Sequence, residues 1–387
     1  MQSVPTVDFA PALELLALAS LLAAVVLALW WWRQRRAGQA SSRVALAALA
    51  AFLTADLIVF GAFTRLTDSG LGCPDWPGCY GAASPWGASA HIDAAEQAQP
   101  SGPVTVTKAW IEMIHRYLAM TVGALILALA VVLWRARRQD DSAPSRTSLG
   151  ATSAFAWAAL GWVLVQGLFG RYTVTLRLYP AVVTAHLLGG MVLLGLLMAQ
   201  LEALRQAPRL AAARGAGWVL ALVTAQVALG GWVSSNYAVL ACRGFPQCNG
   251  QWWPQADYAA GFTLLRELGR AASDGFLSFE ALVAIQMAHR LFALVVVVAV
   301  LALAWRLWRG RAEASQRAAA MLIGLLVLQL LSGLSNVVLD WPLLAALLHT
   351  AGAAGFVALL VGLVFRSRPQ PARMSGTIDV ALQRRHA

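Results

Sequence analysis

Residues 181–204 read AVVTAHLLGGMVLLGLLMAQLEAL, an apolar run carrying one imidazole, His186, close to its start. A helix rises 1.5 Å per residue, so about 20 apolar residues cross a hydrocarbon core of ~30 Å, and this stretch is long enough. Eight more stretches qualify, roughly 11–32, 44–63, 109–134, 150–169, 216–235, 280–308, 318–339 and 342–365. The chain of 387 residues is 59% hydrophobic and 12% charged, against ~25% charged for a soluble domain, which excludes a soluble globule. Four cysteines exclude a disulfide-dense secreted scaffold, and the apolar content excludes a disordered or fibrous chain. The expected fold is therefore an all-α polytopic membrane protein. The first stretch is preceded by no Lys or Arg and followed by no small-residue cleavage site, so it reads as a retained helix and not as a signal peptide.

The formal charge of +11 does not point to nucleic acid, because the 29 basic residues form short clusters between apolar runs. Their placement reads as topology. Connections 33–43, 135–149, 205–214 and 306–317, with the tail from 366, hold 20 Arg, whereas 64–108, 170–180 and 236–279 hold 7 Lys or Arg. The Arg-rich side is expected to be cytoplasmic, which puts the N-terminus and the two long loops outside and the C-terminus inside. A bacterial plasma membrane is the simplest setting.

The long outer loops share a pattern: Cys73-Pro-Asp-Trp-Pro-Gly-Cys79 and Cys242-Arg-Gly-Phe-Pro-Gln-Cys248 lie 169 residues apart. Beyond them, Glu112-Met-Ile-His115-Arg116 matches Gln286-Met-Ala-His289-Arg290 at an offset of 174, and Gln166, Gly170 and His186 match Gln329, Gly333 and His349 at 163. The offset changes only across loops, as a duplicated four-helix unit requires. Two tandem four-helix bundles related by a pseudo-twofold axis along the membrane normal are expected, plus one extra N-terminal helix. The division is 1–43 (extra helix and cytoplasmic linker), 44–204, 205–365, and a cytoplasmic tail 366–387.

Ionisable groups within a membrane are functional candidates by default. His115, His186, His289 and His349 all lie on helices running from outside to inside, each about 9–14 Å into the outer half of the bilayer. Two neutral imidazoles facing each other across a helical bundle suit the axial positions of a haem iron, which pairs His115 with His186 and His289 with His349. Zinc is disfavoured because each copy offers two His and no third ligand at that level. Arg116 and Arg290 could pair with haem propionates or could anchor helix to loop. The small residues Gly189, Gly190, Gly352, Ala353 and Ala354 allow close approach of a macrocycle or of a neighbouring helix.

One difference breaks the symmetry. Glu112 shares a helix face with His115, and the equivalent position in the second copy is Gln286. A carboxylate beside one site can manage protons or stabilise developing positive charge, whereas the second copy is suited to holding a cofactor and passing electrons. Asp56 is a further buried acid by its place within an apolar run. The Cys pairs, on the oxidising side, can close as disulfides or bind a soft metal, and the first can relay redox equivalents. His91 and His386 have no matched partners and read as solvated.

The run Thr64-Arg-Leu-Thr-Asp-Ser-Gly-Leu-Gly-Cys-Pro-Asp-Trp-Pro77, with Glu112-Met-Ile-His115-Arg116 and Thr184-Ala-His186-Leu-Leu-Gly-Gly190, resembles the haem A synthase family over roughly residues 44–365. The resemblance implies an enzyme of cytochrome oxidase assembly, an oxidoreductase of haem A biosynthesis. It would convert the C8 methyl of haem O through hydroxylated intermediates to the formyl group used by haem-copper terminal oxidases. It makes His115 and His186 the substrate-haem ligands, His289 and His349 the ligands of a haem b cofactor, Glu112 the catalytic residue, and Cys73 with Cys79 an outer redox pair. The implied partners are haem O, an electron donor or acceptor such as quinol or a small redox protein, haem O synthase and oxidase assembly factors, with membrane lipid around the chain. Small-residue helix faces permit a homo-oligomer. The family pattern has eight helices, so the extra N-terminal helix departs from it. The rival reading is a di-haem b electron-transfer protein, quinol-linked, that uses the same four His and leaves both haems unaltered.

Overall fold

A computed structural model describes residues 10–34, 39–139, 143–205, 207–271 and 275–367. Nine long apolar helices stand among them: α1 (Ala10–Gln34), α2 (Gln39–Leu66), α4 (Val106–Gln139), α5 (Ala143–Thr175), α6 (Pro180–Arg205), α7 (Ala216–Ser235), α9 (Phe279–Trp308), α10 (Glu313–Val338) and α11 (Leu343–Ser367). Each contains an apolar stretch expected from the sequence. Two shorter helices, α3 (Ser89–Ala98) and α8 (Tyr258–Gly261), lie in the long loops, where no apolar periodicity announces them. The described residues contain no strand, only isolated bridges. The chain is an all-helical, polytopic membrane protein.

The helix ends follow local chemistry. The Ser278 hydroxyl accepts from the Ala281 N–H at 3.2 Å, capping α9, and Glu280 puts negative charge in its first turn. The α5–α6 turn places Arg177 and Leu178 at φ 51° and 59° before Pro180, and the α10–α11 turn places Asp340 and Trp341 at 53° and 63° before Pro342. Proline cannot extend a preceding helix, and here it follows each left-handed pair at a helix entrance.

α2, α4, α5 and α6 pack in a closed ring, each against the next and α6 back against α2. α7, α9, α10 and α11 close a second ring in the same way, and α6 and α2 meet α7 and α11 between the rings. One continuous core joins them, with Leu46, Leu129, Leu133, Leu194, Leu197, Val300, Leu307 and Leu360 fully or almost fully buried. The connector is pinned to the end of α11: the Leu210 N–H donates to the Arg366 carbonyl at 2.9 Å, and the Arg366 Nε to the Pro208 carbonyl at 2.9 Å. α9 turns Leu294, Val298, Leu301 and Trp305 outward, an exposed apolar stripe suited to lipid and not to water.

α1 packs along α4. Leu15, buried, joins Cys73, Cys79, Ile92, Met113 and Tyr117 in a separate apolar cluster beneath the first Cys loop. Asp56 is exposed on α2, not buried as its place in an apolar run suggests. Thr54 and Ile58 hold the inward face, and a residue midway between them points the other way.

Candidate functional site

Histidines from opposite sides of each ring converge on its interior. In the second ring the His289 ring on α9 and the His349 ring on α11 face each other with centroids 6.5 Å apart and planes inclined at 69°. Two metal–nitrogen bonds of about 2 Å each, plus the half-width of each imidazole, fill that gap. The Ser332 hydroxyl donates to the Leu328 carbonyl at 2.6 Å and lies 3.0 Å from His349 Nδ1. With its own proton committed, that oxygen accepts Nδ1–H, which leaves Nε2 as the bare nitrogen that a metal requires. Gln226 Nε2 lies 3.1 Å from His289 Nδ1 and donates to the His289 carbonyl, also at 3.1 Å. The Gln329 amide donates to the His349 carbonyl at 2.7 Å.

In the first ring, His115 on α4 lies parallel to Phe60, centroids 6.3 Å apart and planes 8° apart. His186 on α6 leaves Nδ1 buried without a hydrogen-bond partner among the described residues, as does Gln166 at its Nε2. Gln166 fills the space beside Gly189, where a Cβ would stand 1.9 Å from the amide nitrogen. Gln329 does the same at Gly352, at 2.3 Å. Helix packing thus accounts for these two glycines.

Each imidazole also has a glycine from the preceding helix at its edge. A Cβ on Gly61 would lie 3.0 Å from His115, on Gly170 3.7 Å from His186, on Gly230 3.1 Å from His289 and on Gly333 3.1 Å from His349. The rings can therefore stand upright against neighbouring backbone, free of crowding by a side chain. Gly61 and Gly230 were not singled out from the sequence, although the 169-residue offset of the Cys loops relates them. The paired imidazoles and the glycine cradles fit a porphyrin held between histidines.

The outer ends are polar. Cys73–Cys79 and Cys242–Cys248 are disulfides, with Cα atoms 4.9 and 4.6 Å apart, and the described residues include no free cysteine. Arg116 donates to the Asp75, Pro77 and Gly78 carbonyls at 3.0, 3.2 and 2.5 Å. Arg290 donates to the Gly244, Gln247 and Cys242 carbonyls at 3.1, 3.3 and 2.8 Å. Both guanidiniums are engaged by loop backbone through their Nη atoms, with Arg290 Nε left unmet, so the geometry favours anchoring of the Cys loops over contact with propionates.

Glu112, 4% exposed, has each oxygen assigned: Oε1 pairs with Arg116 at 2.5 Å and Oε2 accepts the Cys73 N–H at 2.8 Å. One carboxylate thereby ties the first disulfide to the helix carrying His115, three residues on. Gln286 donates to the Val239 carbonyl at 3.1 Å, and its oxygen finds no partner among the described residues. His91 is exposed and stacks on Tyr80, centroids 5.5 Å apart. His386 lies outside the described residues.

Among the described residues, nine membrane-length helices, eight of them closing two rings with a histidine pair in each, define a multi-pass membrane protein. The family described as cytochrome oxidase assembly protein matches residues 44–361, and the chain belongs to it. Among its relatives, a haem A synthase of Shewanella oneidensis is 38% identical over 314 residues, 79% of this chain and 90% of its own length. Those of Caulobacter vibrioides and Maricaulis maris are 30% and 28% identical, over 81% and 82% of this chain and 92% and 94% of their own. The match begins after α1, which lies outside the shared region.

Proposed function

We propose that this chain is a haem A synthase that oxidises the C8 methyl of haem O to a formyl group. Its two copies, 44–204 and 205–365, divide the work. His115 and His186 hold the substrate by its iron in the first ring, and His289 and His349 hold a haem b in the second. The facing of His289 and His349 across 6.5 Å carries the haem reading. Recurrence of left-handed backbone supports the duplication: Asp68 and Tyr237, Tyr80 and Asn249, and Gly81 and Gly250 keep the offset of the Cys loops.

The bound haem b supplies single-electron transfer; the chain supplies position and field. Imidazoles on two helices of each ring would hold and orient the macrocycle, and apolar helix faces would keep water from the reacting edge. Glu112, with both oxygens hydrogen-bonded, acts as a fixed anion that stabilises positive charge developing beside His115 and holds the Cys73–Cys79 loop over that ring. Gln286 gives the second ring no such charge, in keeping with a site that holds a cofactor and passes electrons. The Cys loops and N-terminus lie outside and the C-terminus in the cytoplasm, in keeping with the Arg distribution.

Co-expression with a haem O synthase in a host lacking haem A tests this. Extractable haem A or its hydroxylated precursor is expected. Haem b with unaltered haem O, from folded protein, would favour the electron-transfer reading.

A further inference from the structure

Arg266 is a buried cation without a buried anion. It lies in the loop between α8 and α9, is 3% exposed, and donates through one Nη to the Asn236 Oδ1 at 2.5 Å. Its Nε and other Nη are buried and meet no acceptor among the described residues. The Trp232 ring is 5.6 Å from the guanidinium carbon, and the Trp232 indole is itself held by the Gly261 carbonyl at 2.9 Å. A guanidinium cannot shed its charge to escape an apolar site, so two buried, unmet donors call for an anion. Burial holds its pKa below the ordinary arginine value, as an environment still lacking that anion would.

Its place identifies the anion. Asn236 caps α7, six residues beyond Gly230, the residue against His289. At 1.5 Å per residue that is about 9 Å outward of the imidazole. On the other side Tyr179, close enough to act on the Arg266 charge, immediately precedes α6, which carries His186 seven residues on. Arg266 therefore stands by the outer ends of α6 and α7, which pack against each other between the rings. Arg116 and Arg290, the cations beside His115 and His289, are engaged by loop carbonyls through both Nη atoms, and only Arg290 Nε is left unmet there, whereas Arg266 lacks partners at two nitrogens.

We propose that Arg266 binds a propionate carboxylate of a porphyrin held by one of the histidine pairs, through its unmet N–H donors. A planar guanidinium presents its donors in forks that match a carboxylate. The assignment rests on the haem reading above and adds a residue that fixes the orientation of the porphyrin about its axial ligands.

The test is a titration of the full chain, purified haem-free in detergent from a haem-deficient host, with ferric protohaem and with its dimethyl ester, followed by absorbance. Wild type is expected to bind the diacid about tenfold or more tighter than the diester. Arg266→Gln should bring the two within about threefold, with Arg266→Lys between, since lysine keeps charge and loses the fork. A wild-type preference retained in folded Arg266→Gln, or no preference in wild type, overturns the proposal. If Arg266→Gln does not fold, Arg266→Lys decides by the same criterion. His289→Ala and His186→Ala backgrounds locate the carboxylate: the preference survives in the background that leaves the relevant pair intact. Folded wild type that binds neither compound would instead overturn the haem reading itself.

Discussion

Tyr237 donates its hydroxyl to Asp68 Oδ1 at 2.5 Å, and the two residues are 169 positions apart, the interval that separates the Cys loops. Arg65 spans the same interval to the Ser234 carbonyl at 2.7 Å and lies 4.0 Å over the Tyr237 ring, while pairing with Asp68 at 3.3 Å. In the proposed duplication these are equivalent positions, so the two copies touch there at corresponding points of their first helices. Gly61 and Gly230, four residues back on α2 and α7, lie against His115 and His289. The clasp thus sets the spacing of the two histidine pairs one helical turn above them.

Removing the hydroxyl should loosen this clasp without unfolding either ring. Tyr237→Phe is expected to cost roughly 1 kcal/mol, the modest value suited to a partly exposed hydrogen bond, read as a lowered thermal midpoint in detergent. Burial raises the Tyr237 pKa above its ordinary 10.0; Arg65 opposes the shift and the Asp68 hydrogen bond adds to it. A raised folded-state pKa contributes stability that is present below the unfolded value and lost as pH rises through the folded one. The gap between wild type and Tyr237→Phe should therefore hold constant from about pH 6 to 9 and close above about 10. A gap that widens with alkalinity would refute the assignment.

Alanine at the glycine cradles should disturb the imidazoles selectively. A Cβ at position 230 or 333 would lie 3.1 Å from a ring carbon of His289 or His349. Gly230→Ala and Gly333→Ala are expected to reduce bound b-type haem by about half or more, or to alter its low-spin resonance signal, at unchanged disulfide content. Gly123→Ala, whose Cβ meets nothing within 4 Å, serves as the control.

Glu112→Gln keeps an oxygen for either the Cys73 N–H or Arg116 but removes the charge. Haem content should stay near wild type while haem A formation falls by about 10²-fold, assayed as extracted porphyrins. Product at the wild-type rate would remove Glu112 from the mechanism.

His289→Ala and His349→Ala should deplete the b-type cofactor more than bound haem O, and His115→Ala and His186→Ala the reverse, by quantitative haem extraction. The opposite pattern would exchange the roles of the two rings. Ser332→Ala, which leaves His349 its ring and removes the acceptor at Nδ1, should shift the b-haem midpoint potential while retaining the haem.

The membrane class and the nine helices were legible from apolar runs alone, because hydrocarbon demands a fixed length and tolerates few charges. Residues 216–235 were bounded to the residue. The four histidines were legible too, since an imidazole in an apolar run stands out and the repeat offset pairs it with its equivalent. α3 and α8 escaped because short helices at a polar surface leave no apolar period to read.

In the proposed duplication, chain order thus determined which residues occupy equivalent places, since such a repeat writes its interval directly into the sequence. Only packing decided what each one touches. Asp56 faces outward, Arg116 and Arg290 turn to the Cys loops, and Arg266, an unremarkable loop arginine in sequence, becomes a buried charge with donors unmet. Helical period and loop length set where a side chain begins. Whether it finds a carbonyl, a carboxylate or nothing depends on segments that are distant in the chain, and that is a property of the folded rings alone.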